Sequence, residues 1–235
     1  MFQFKQFSVK QDKTAMKVGT DGVLLGAWAP VNHQPISVLD IGAGTGLVGL
    51  MLAQRTAAGQ IDALEIDEDA YEQAVDNFES SPWGDRLFCY HAGLDEFVDE
   101  PEDEYDLIVS NPPFYSEDFK SNDKQRDLAR FQDAMPFDEL IEAADLFLSE
   151  KGVFAVIIPF SEEDKFLEIA EEYELYPFKI TRVKGTAQTE IKRSLMAFSR
   201  NDTVTPETTE LIIEHARHDY TQDYIELTSE FYLKM

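Results

Sequence analysis

The segment Val38-Leu39-Asp40-Ile41-Gly42-Ala43-Gly44-Thr45-Gly46 decides the fold of this 235-residue chain. Residues 37–41 form a short apolar run, which is typical of a strand buried inside a sheet. Three glycines follow within the next five positions, and a helix-forming stretch begins at Leu47. A glycine turn between a buried strand and a helix lets a ligand approach the backbone without a Cβ in the way. The free N–H groups at the start of the helix then face that ligand.

Strand and helix patterns alternate downstream of this turn. The predicted strands cover residues 37–41, 61–66, 86–90, 105–109, 152–158, 178–183 and 194–198. The predicted helices cover residues 47–58, 68–79, 137–148 and 162–173. This alternation predicts an α/β fold, a doubly wound parallel sheet with right-handed crossovers and helices on both faces. We expect ligands to bind at the carboxyl ends of the strands.

Composition excludes several classes of protein. Hydrophobic residues make up 43% of the chain, so a packed core is expected. A single cysteine, Cys89, excludes an intramolecular disulfide and is typical of a reducing cytoplasm. No apolar run approaches the roughly 20 residues of a membrane span, and the first ten residues do not resemble a signal peptide. Together with the single cysteine, these features predict a soluble, cytoplasmic protein. The four histidines lack Cys, Asp or Glu at ligand spacing, so we predict no metal site.

The charge is unevenly distributed. A net charge of −26 argues against a protein that coats nucleic acid. Lysine and arginine nevertheless outnumber acidic residues in three islands, at 1–20, 119–130 and 178–200. These islands are compatible with one local RNA-binding surface, in which Lys192 and Arg193 would lie on the rim of the active site. They are equally compatible with solvated faces of an acidic protein.

The acidic residue at the end of the second strand is a candidate cofactor ligand. Glu65 could accept hydrogen bonds from both hydroxyls of a ribose. The same role exists in dinucleotide enzymes, and residues 44–49 (GTGLVG) match their glycine fingerprint. That fingerprint should begin at the end of the strand, at Gly42, and position 47 would then be leucine, so we disfavour a dinucleotide. Asp67 is predicted to cap the following helix, and the backbone amide of Leu94 could meet an adenine edge.

Ser110-Asn111-Pro112-Pro113-Phe114, after the fourth strand, is the most specific motif of the chain. The two prolines remove two N–H donors and leave nearby carbonyl oxygens as acceptors. The Asn111 amide oxygen and the Pro112 carbonyl can together hold both hydrogens of a planar NH₂ group. That grip would aim the nitrogen lone pair at an activated methyl group. Phe114 offers a face on which an extruded base can stack.

The glycine turn, Glu65 and Asn-Pro-Pro-Phe together resemble the class I methyltransferases that act on amino groups. The resemblance extends to residues 13–28 (KTAMKVGTDGVLLGAW) and 227–233 (LTSEFYL), and so covers nearly the whole chain. These flanks are similar to those of the bacterial enzymes that methylate N6 of the adenine at position 37 of a valine tRNA. The core motifs are shared by many amino-methylating families, so only the flanks indicate this one.

The resemblance implies a Rossmann-like sheet of seven strands with the last one antiparallel, S-adenosylmethionine as cofactor, tRNA as substrate and N6-methyladenosine as product. Its implied cofactor residues are Asp40, Gly42, Gly44, Gly46 and Glu65, with Thr20 and Asp21 near the methionine end. Its implied base-holding residues are Asn111, Pro112 and Phe114. We expect one domain, with an N-terminal extension at 1–36 that contributes to both sites, a core at 37–200 and a C-terminal addition at 201–235. One departure is Gly93, where relatives often carry an acidic residue toward the cofactor's adenine.

Several alternatives remain open from the sequence. Asn-Pro-Pro-Tyr enzymes act on a release-factor glutamine, but they carry a large N-terminal helical domain, whereas about 36 residues precede the first strand here. Methylation of rRNA, at adenine N6 or guanine N2, also fits the core motifs. A non-catalytic binder and a nicotinamide oxidoreductase are both disfavoured by the Asn-Pro-Pro-Phe motif. We expect a monomer in which residues 115–130 form a mobile loop over the substrate.

Overall fold

The computed structural model describes residues 1–14, 16–98, 104–113 and 135–234. The strands are β1 (Phe2–Gln3), β2 (Ser8–Val9), β3 (Ser37–Ile41), β4 (Gln60–Glu65), β5 (Leu87–His91), β6 (Tyr105–Ser110), β7 (Leu148–Pro159), β8 (Tyr176–Lys184), β9 (Ile191–Ser199), β10 (Glu207–Ile212), β11 (Glu214–Ala216) and β12 (Asp219–Tyr220). The helices are α1 (Thr20–Trp28), α2 (Leu47–Arg55), α3 (Glu68–Glu79), α4 (Leu94–Val98), α5 (Phe137–Phe147), α6 (Glu163–Glu172) and α7 (Gln222–Thr228).

An eight-stranded sheet in the order β10-β8-β9-β7-β6-β3-β4-β5 organises the described part of the chain. Strands β3 to β7 are parallel to their neighbours among themselves, and β9 runs antiparallel to both β7 and β8. The predicted doubly wound, mainly parallel sheet is therefore confirmed, including the reversed direction of the seventh strand, β9. All seven predicted strands are present, with ends that differ by a few residues at most.

The eighth strand, β10, is an addition to the predicted seven. It pairs in parallel with β8 and lies at the edge of the sheet. Its residues 207–210 are exposed, and only Leu211 is buried. A strand that is solvated on both faces lacks the apolar alternation from which strands are predicted. For this reason the segment was expected only as part of a C-terminal addition.

Two layers of apolar side chains cover the sheet. One cluster packs α1, α2 and the N-terminal residues on one face, and the other packs α5 and α6 on the opposite face. Helix α1 was not predicted, because residues 22–28 are buried all round and therefore show no 3.6-residue period. No helix within the described ranges is both long and apolar enough to cross a membrane.

The two ends of the described chain lie against each other. Phe4 forms an isolated antiparallel bridge with Tyr232, and the backbone N–H of Lys5 donates to the Phe231 carbonyl at 2.8 Å. The Lys5 ammonium also donates to the carbonyl of Ser229 at 2.6 Å. The rings of Phe4 and Phe7 stack with centroids 4.7 Å apart, beside Tyr232. Residues at the start of the chain are thus held by residues far along it.

Candidate active site

The register of the parallel strands brings the predicted site residues to one edge of the sheet. Ile41 pairs with Leu64 on one side and with Ser110 on the other. The hydroxyl of Ser110 donates to the Ile41 carbonyl at 2.8 Å and ties the two strand ends together. Gly42, Glu65 and Asn111, which follow or end these strands, are therefore neighbours along the carboxyl edge.

The glycine turn between β3 and α2 has three residues with left-handed backbone. Gly42, Gly44 and Gly46 have φ of 76°, 57° and 75°. The N–H of Gly42 donates to the Leu64 carbonyl at 3.0 Å, which fixes the turn to the neighbouring strand. A Cβ on Gly46 would lie 2.5 Å from the Phe78 ring, whereas a Cβ on Gly44 would meet nothing within 4 Å. Packing thus explains the glycine at 46, and the open space at Gly44 fits a cradle for a ligand.

Glu65 lies against this turn with its carboxylate held by two backbone donors. Its Oε2 accepts from the N–H of Gly44 at 2.7 Å, and its Oε1 accepts from the N–H of Asp67 at 2.9 Å. Burial raises the pKa of Glu65, and these hydrogen bonds oppose the rise. The predicted cap is present as well, because Asp67 Oδ1 accepts from the N–H of Ala70 at 2.8 Å. Glu65 is oriented with lone pairs still available to a ligand.

Asp40 is buried beneath the turn. Its exposed fraction is 1%, and its Oδ2 accepts from the N–H of Gly49, in the first turn of α2, at 3.0 Å. Burial raises the pKa of Asp40 to about 7, with a smaller contribution in the same direction from Glu65. Asp40 therefore braces α2 from inside rather than presenting a charge to solvent.

The Asn-Pro-Pro loop leaves β6 next to the glycine turn. Asn111 is half-buried and Pro112 is buried. The carbonyl of Pro113 accepts from the N–H of Met135 at 3.3 Å. Phe114 and the predicted loop 115–130 lie outside the described residues.

Helix α1 approaches the site from the other side of the glycine turn. A Cβ on Gly22 would lie 3.2 Å from Leu47, the first residue of α2, so the start of α1 lies close to the turn. Thr20 is the first residue of α1 and is exposed. The carboxylate of Asp21 forms an ion pair with Arg193 at 2.9 Å. The sequence indicates a cofactor role for Asp21 and an RNA-binding role for Arg193. It does not reveal that the two side chains pair with each other.

The loop after β5 contains Gly93, which stands where the resembled enzymes often carry an acidic residue. Gly93 is buried, and its N–H lies 3.4 Å from Oε2 of Glu96. Leu94 is the first residue of α4, where a backbone N–H has no acceptor inside the helix. Its side chain is half-buried against the apolar cluster on the α5 side of the sheet.

Ion pairs neutralise most of the basic island at 178–200. The pairs are Arg182–Glu163 (2.6 Å), Lys184–Glu210 (2.8 Å), Arg193–Asp21 (2.9 Å) and Arg200–Asp145 (2.5 Å). Lys179 lies over the Trp28 ring instead, 4.6 Å from its centroid. Lys192 is exposed and forms no ion pair with any residue in the described ranges. The island is far less positive in the fold than it is in the sequence.

The buried side-chain amides of Asn77 and Gln73, which were not predicted as functional from the sequence, connect the N-terminal segment to the site. Asn77 accepts from the N–H of Lys10 at 2.8 Å and donates to the carbonyls of Lys10 (3.0 Å) and Thr45 (2.9 Å). Gln73 accepts from the N–H groups of Asp12 and Lys13. Each amide is 1% exposed, on a helix face where apolar side chains are the rule. Polar residues on the apolar face of α3 were the available signal.

Metal chemistry has no candidate ligand set in the ranges that the structure describes. No group of three or more His, Cys, Asp or Glu side chains is arranged there to hold an ion.

Comparison with known proteins defines the class. Residues 23–168 match the family model of the methyltransferase small domain, more than half of the chain. A predicted O-methyltransferase of Agrobacterium tumefaciens has the same fold, with a TM-score of 0.67 over 90% of this chain and 96% of that one at 17% identity. The ribosomal protein L11 methylase of Lactobacillus delbrueckii gives 0.54 over 77% of each chain at 18% identity. This protein is a class I methyltransferase, and its cofactor is S-adenosylmethionine.

Full-length relatives define the family more narrowly. A tRNA1(Val) (adenine(37)-N6)-methyltransferase of Flavobacterium johnsoniae is 77% identical over 100% of both chains. The enzymes of the same name from Christiangramia forsetii and Bacteroides fragilis are 61% and 46% identical, over 100% of this chain and 98% of theirs. The chain belongs to the family of the tRNA1(Val) (adenine(37)-N6)-methyltransferases.

Proposed function

We propose that this enzyme methylates the exocyclic N6 of an adenine in tRNA, at position 37 of a valine tRNA, as the names of its relatives state for them. One observation carries the proposal. The pairing of Ile41 with Ser110 supports it, because Asn111 follows Ser110 and Gly42 follows Ile41, so a bound amino group and a bound cofactor would meet at one edge of the sheet.

The chain's own groups fit the cofactor. The open space at Gly44 admits a ligand against the backbone, and Glu65 offers carboxylate lone pairs to the two ribose hydroxyls. Asp40 fixes the start of α2, whose N–H groups face the turn. S-adenosylmethionine supplies a methyl group on a positively charged sulfur when it is bound. The cofactor set proposed from the sequence is completed by Gly42 and Gly46 in the turn, Thr20 and Asp21 at the start of α1, and the backbone N–H of Leu94.

Asn111 and Pro112 are the proposed grip on the substrate. The amide oxygen of Asn111 and the carbonyl of Pro112 accept the two hydrogens of the adenine amino group. This arrangement holds the nitrogen lone pair in line with the methyl group, and orientation of this kind can account for much of the lowering of a barrier. The base must leave its stack to reach the loop, and Phe114 is proposed to receive its face.

The decisive experiment is transfer of labelled methyl from S-adenosylmethionine to unmodified tRNA, with rRNA and release factor in parallel. We expect label in tRNA as N6-methyladenosine, at position 37 of a valine isoacceptor. Label in rRNA, as N6-methyladenosine or N2-methylguanosine, or in a glutamine amide would keep the chemistry and reject the substrate.

A matched variant separates the proposed roles within the site. We expect Asn111→Ala to abolish transfer while the dissociation constant of S-adenosylmethionine, measured by calorimetry, stays within a few fold of wild type. Loss of cofactor binding in this variant would reassign Asn111 to the cofactor.

Three further features belong to the proposal. We propose a cytoplasmic location, because tRNA is modified in the cytoplasm. We also propose a monomer and a single domain over 1–235, in which 1–36 and 201–235 extend the core. The packing of Phe4 against Tyr232 supports that joint arrangement of the two extensions.

A further inference from the structure

An open groove of about 430 Å³ lies at the carboxyl edge of the sheet, on the far side of β7 from the Asn-Pro-Pro loop. Its lining residues are Phe160, Lys184, Gln188, Thr189, Glu190 and Ile191. Strand β7 is the immediate neighbour of β6, and Phe160 directly follows the end of β7. The groove therefore lies at the same edge of the sheet as Asn111, with β7 between them.

Phe160 forms part of a fixed platform. The guanidinium carbon of Arg182 lies 5.4 Å from the centroid of the Phe160 ring. Arg182 is held by Glu163, whose Oε1 accepts from Nη2 at 2.6 Å and from Nε at 3.1 Å. Glu163 is 2% exposed and also accepts a hydrogen bond from the hydroxyl of Ser194. A buried carboxylate thus orients a planar cation against an aromatic ring.

The rest of the groove supplies hydrogen-bonding groups. Thr189 is engaged in its own hairpin, since its hydroxyl donates to the Thr186 carbonyl at 2.9 Å and accepts from the Thr186 N–H at 3.0 Å. Gln188 and Glu190 are exposed and form no hydrogen bond with another described residue. Their amide and carboxylate offer both donors and acceptors to a ligand in the groove.

We infer that this groove binds one unstacked base of the RNA substrate, a nucleotide that flanks the target adenine. The inference rests on the proposed function. Single-stranded RNA is recognised by stacking of bases on aromatic rings and arginine planes and by hydrogen bonds to base edges, and the groove combines those two features. The lining lysine, Lys184, is already paired with Glu210, and Arg182, which lies against Phe160, is paired with Glu163, so the groove is suited to a base rather than to phosphates.

A double-substitution experiment tests the inference. The protein variant is Phe160→Leu, which removes the aromatic face and keeps an apolar side chain. The RNA variants are valine tRNA transcripts in which each nucleotide within three positions of the methylated adenine is made abasic in turn. Loss of base stacking on an aromatic side chain lowers RNA affinity by about 5- to 150-fold.

The expected result is coupling at one position. Phe160→Leu should raise the Kd for intact tRNA about tenfold, and the abasic RNA at that position should bind both proteins equally weakly. The Kd of S-adenosylmethionine should not change, because Phe160 lies outside the proposed cofactor set. Phe88→Leu is the matched control, because Phe88 is an exposed phenylalanine on β5 at the other end of the sheet. It should bind every RNA as wild type does.

Other outcomes overturn the inference in distinguishable ways. An equal loss on every RNA, or no loss on any, would exclude a flanking base from the groove. An effect of Phe160→Leu on methylation of a protein substrate instead would assign the groove to a peptide. If the wild type methylated no RNA, the proposed function would fall, and the inference with it. Gln188→Ala, on the exposed hairpin, gives the same readout if Phe160→Leu does not fold.

Discussion

At the scale of single residues, Gly44 and Gly46 share a left-handed backbone for different reasons. Gly46 has the Phe78 ring where a Cβ would be, whereas Gly44 has open space there. A residue with a Cβ costs about 1–2 kcal/mol in this backbone conformation at either position. Only at Gly46 does a steric clash add to that cost. Packing therefore explains the glycine at 46, and we propose that a bound ligand explains the glycine at 44.

This difference predicts opposite phenotypes. Gly46→Ala should lower the free energy of unfolding by several kcal/mol, through backbone strain and the clash with Phe78. Gly44→Ala should cost only about 1–2 kcal/mol. It should nevertheless weaken S-adenosylmethionine at least tenfold, because the methyl occupies the cradle. Urea unfolding and calorimetry separate the two effects, and normal cofactor affinity in Gly44→Ala would contradict the assignment of the cradle.

The buried carboxyl of Asp40 predicts that folding stability depends on pH. Its pKa is about 7 in the folded protein, above the ordinary value of 3.8. Between pH 4 and 7 the unfolded chain has lost this proton while the folded chain keeps it, so folding stability falls as the pH rises. Asp40→Asn keeps an oxygen for the Gly49 N–H and removes the titration. Relative to wild type, the variant should gain up to about 4 kcal/mol between pH 4 and pH 8. A stability difference that does not vary with pH would contradict this account.

Most of the candidate site could be predicted from the sequence because it depends on local order along the chain. The ends of parallel strands meet at one edge, so strand boundaries alone bring Gly42, Glu65 and Asn111 together. The Asp21–Arg193 pair joins positions 172 residues apart. No local pattern specifies which of many acidic residues meets a given arginine. Asn77 was missed for a similar reason, since its partners are backbone atoms of distant segments.

At the scale of elements, α3 connects the N-terminal segment with the glycine turn. Asn77 uses both amide hydrogens and its oxygen to hold Lys10 and Thr45. Helix α3 itself was predicted with correct ends, since an acidic N-cap and an apolar stripe are local signals. Helix α1 and strand β10 could not be predicted, because one is buried on every side and the other is exposed on both faces. Hydrophobic periodicity in the sequence reveals only those helices and strands that have one apolar and one polar side.

Asn77→Leu should release the N-terminal segment. The substitution leaves the N–H of Lys10 and two carbonyls without their partner, at about 1–3 kcal/mol for each unsatisfied group. We expect faster tryptic cleavage after Lys10 and Lys13 and faster amide exchange in residues 10–14, while the sheet stays protected. Thr181→Val, which removes the hydroxyl that accepts from the Trp28 indole, is a buried polar control remote from this segment. Equal release in both variants would mean that global unfolding, not the α3 contact, exposes the segment.

At the scale of the whole molecule, the protein is strongly acidic, and four of the six basic side chains of the island at 178–200 form ion pairs with its own carboxylates. The net charge is −26, and the pairs at 178–200 leave Lys192 as the exposed cation at the start of β9. Pro159 pairs with Arg193, so this end of β9 lies at the carboxyl edge. RNA recognition through bases rather than phosphates is consistent with such a charge distribution.

Salt dependence tests whether Lys192, the exposed cation at the start of β9, contacts a phosphate of the RNA. Each phosphate contact contributes roughly 0.7–0.9 to the slope of log K against log salt concentration. Lys192→Ala should reduce that slope by about this amount for tRNA binding. Lys151→Ala, an exposed lysine near the opposite end of β7, should leave it unchanged. An unchanged slope in Lys192→Ala would remove β9 from the phosphate-binding surface.

The contact between the two ends of the described chain has a consequence for the order of folding. Lys5 and Ser229 are 224 residues apart, so their contact closes a loop that spans nearly the entire chain. Closing long loops costs entropy that is recovered only when the contacts form, and proteins rich in distant contacts fold slowly. During synthesis, the ribosome releases the central sheet well before Phe231 and Tyr232 emerge. Phe2 and Phe4 can therefore make their ring contacts with Tyr232 only after residues 231–232 have been synthesised.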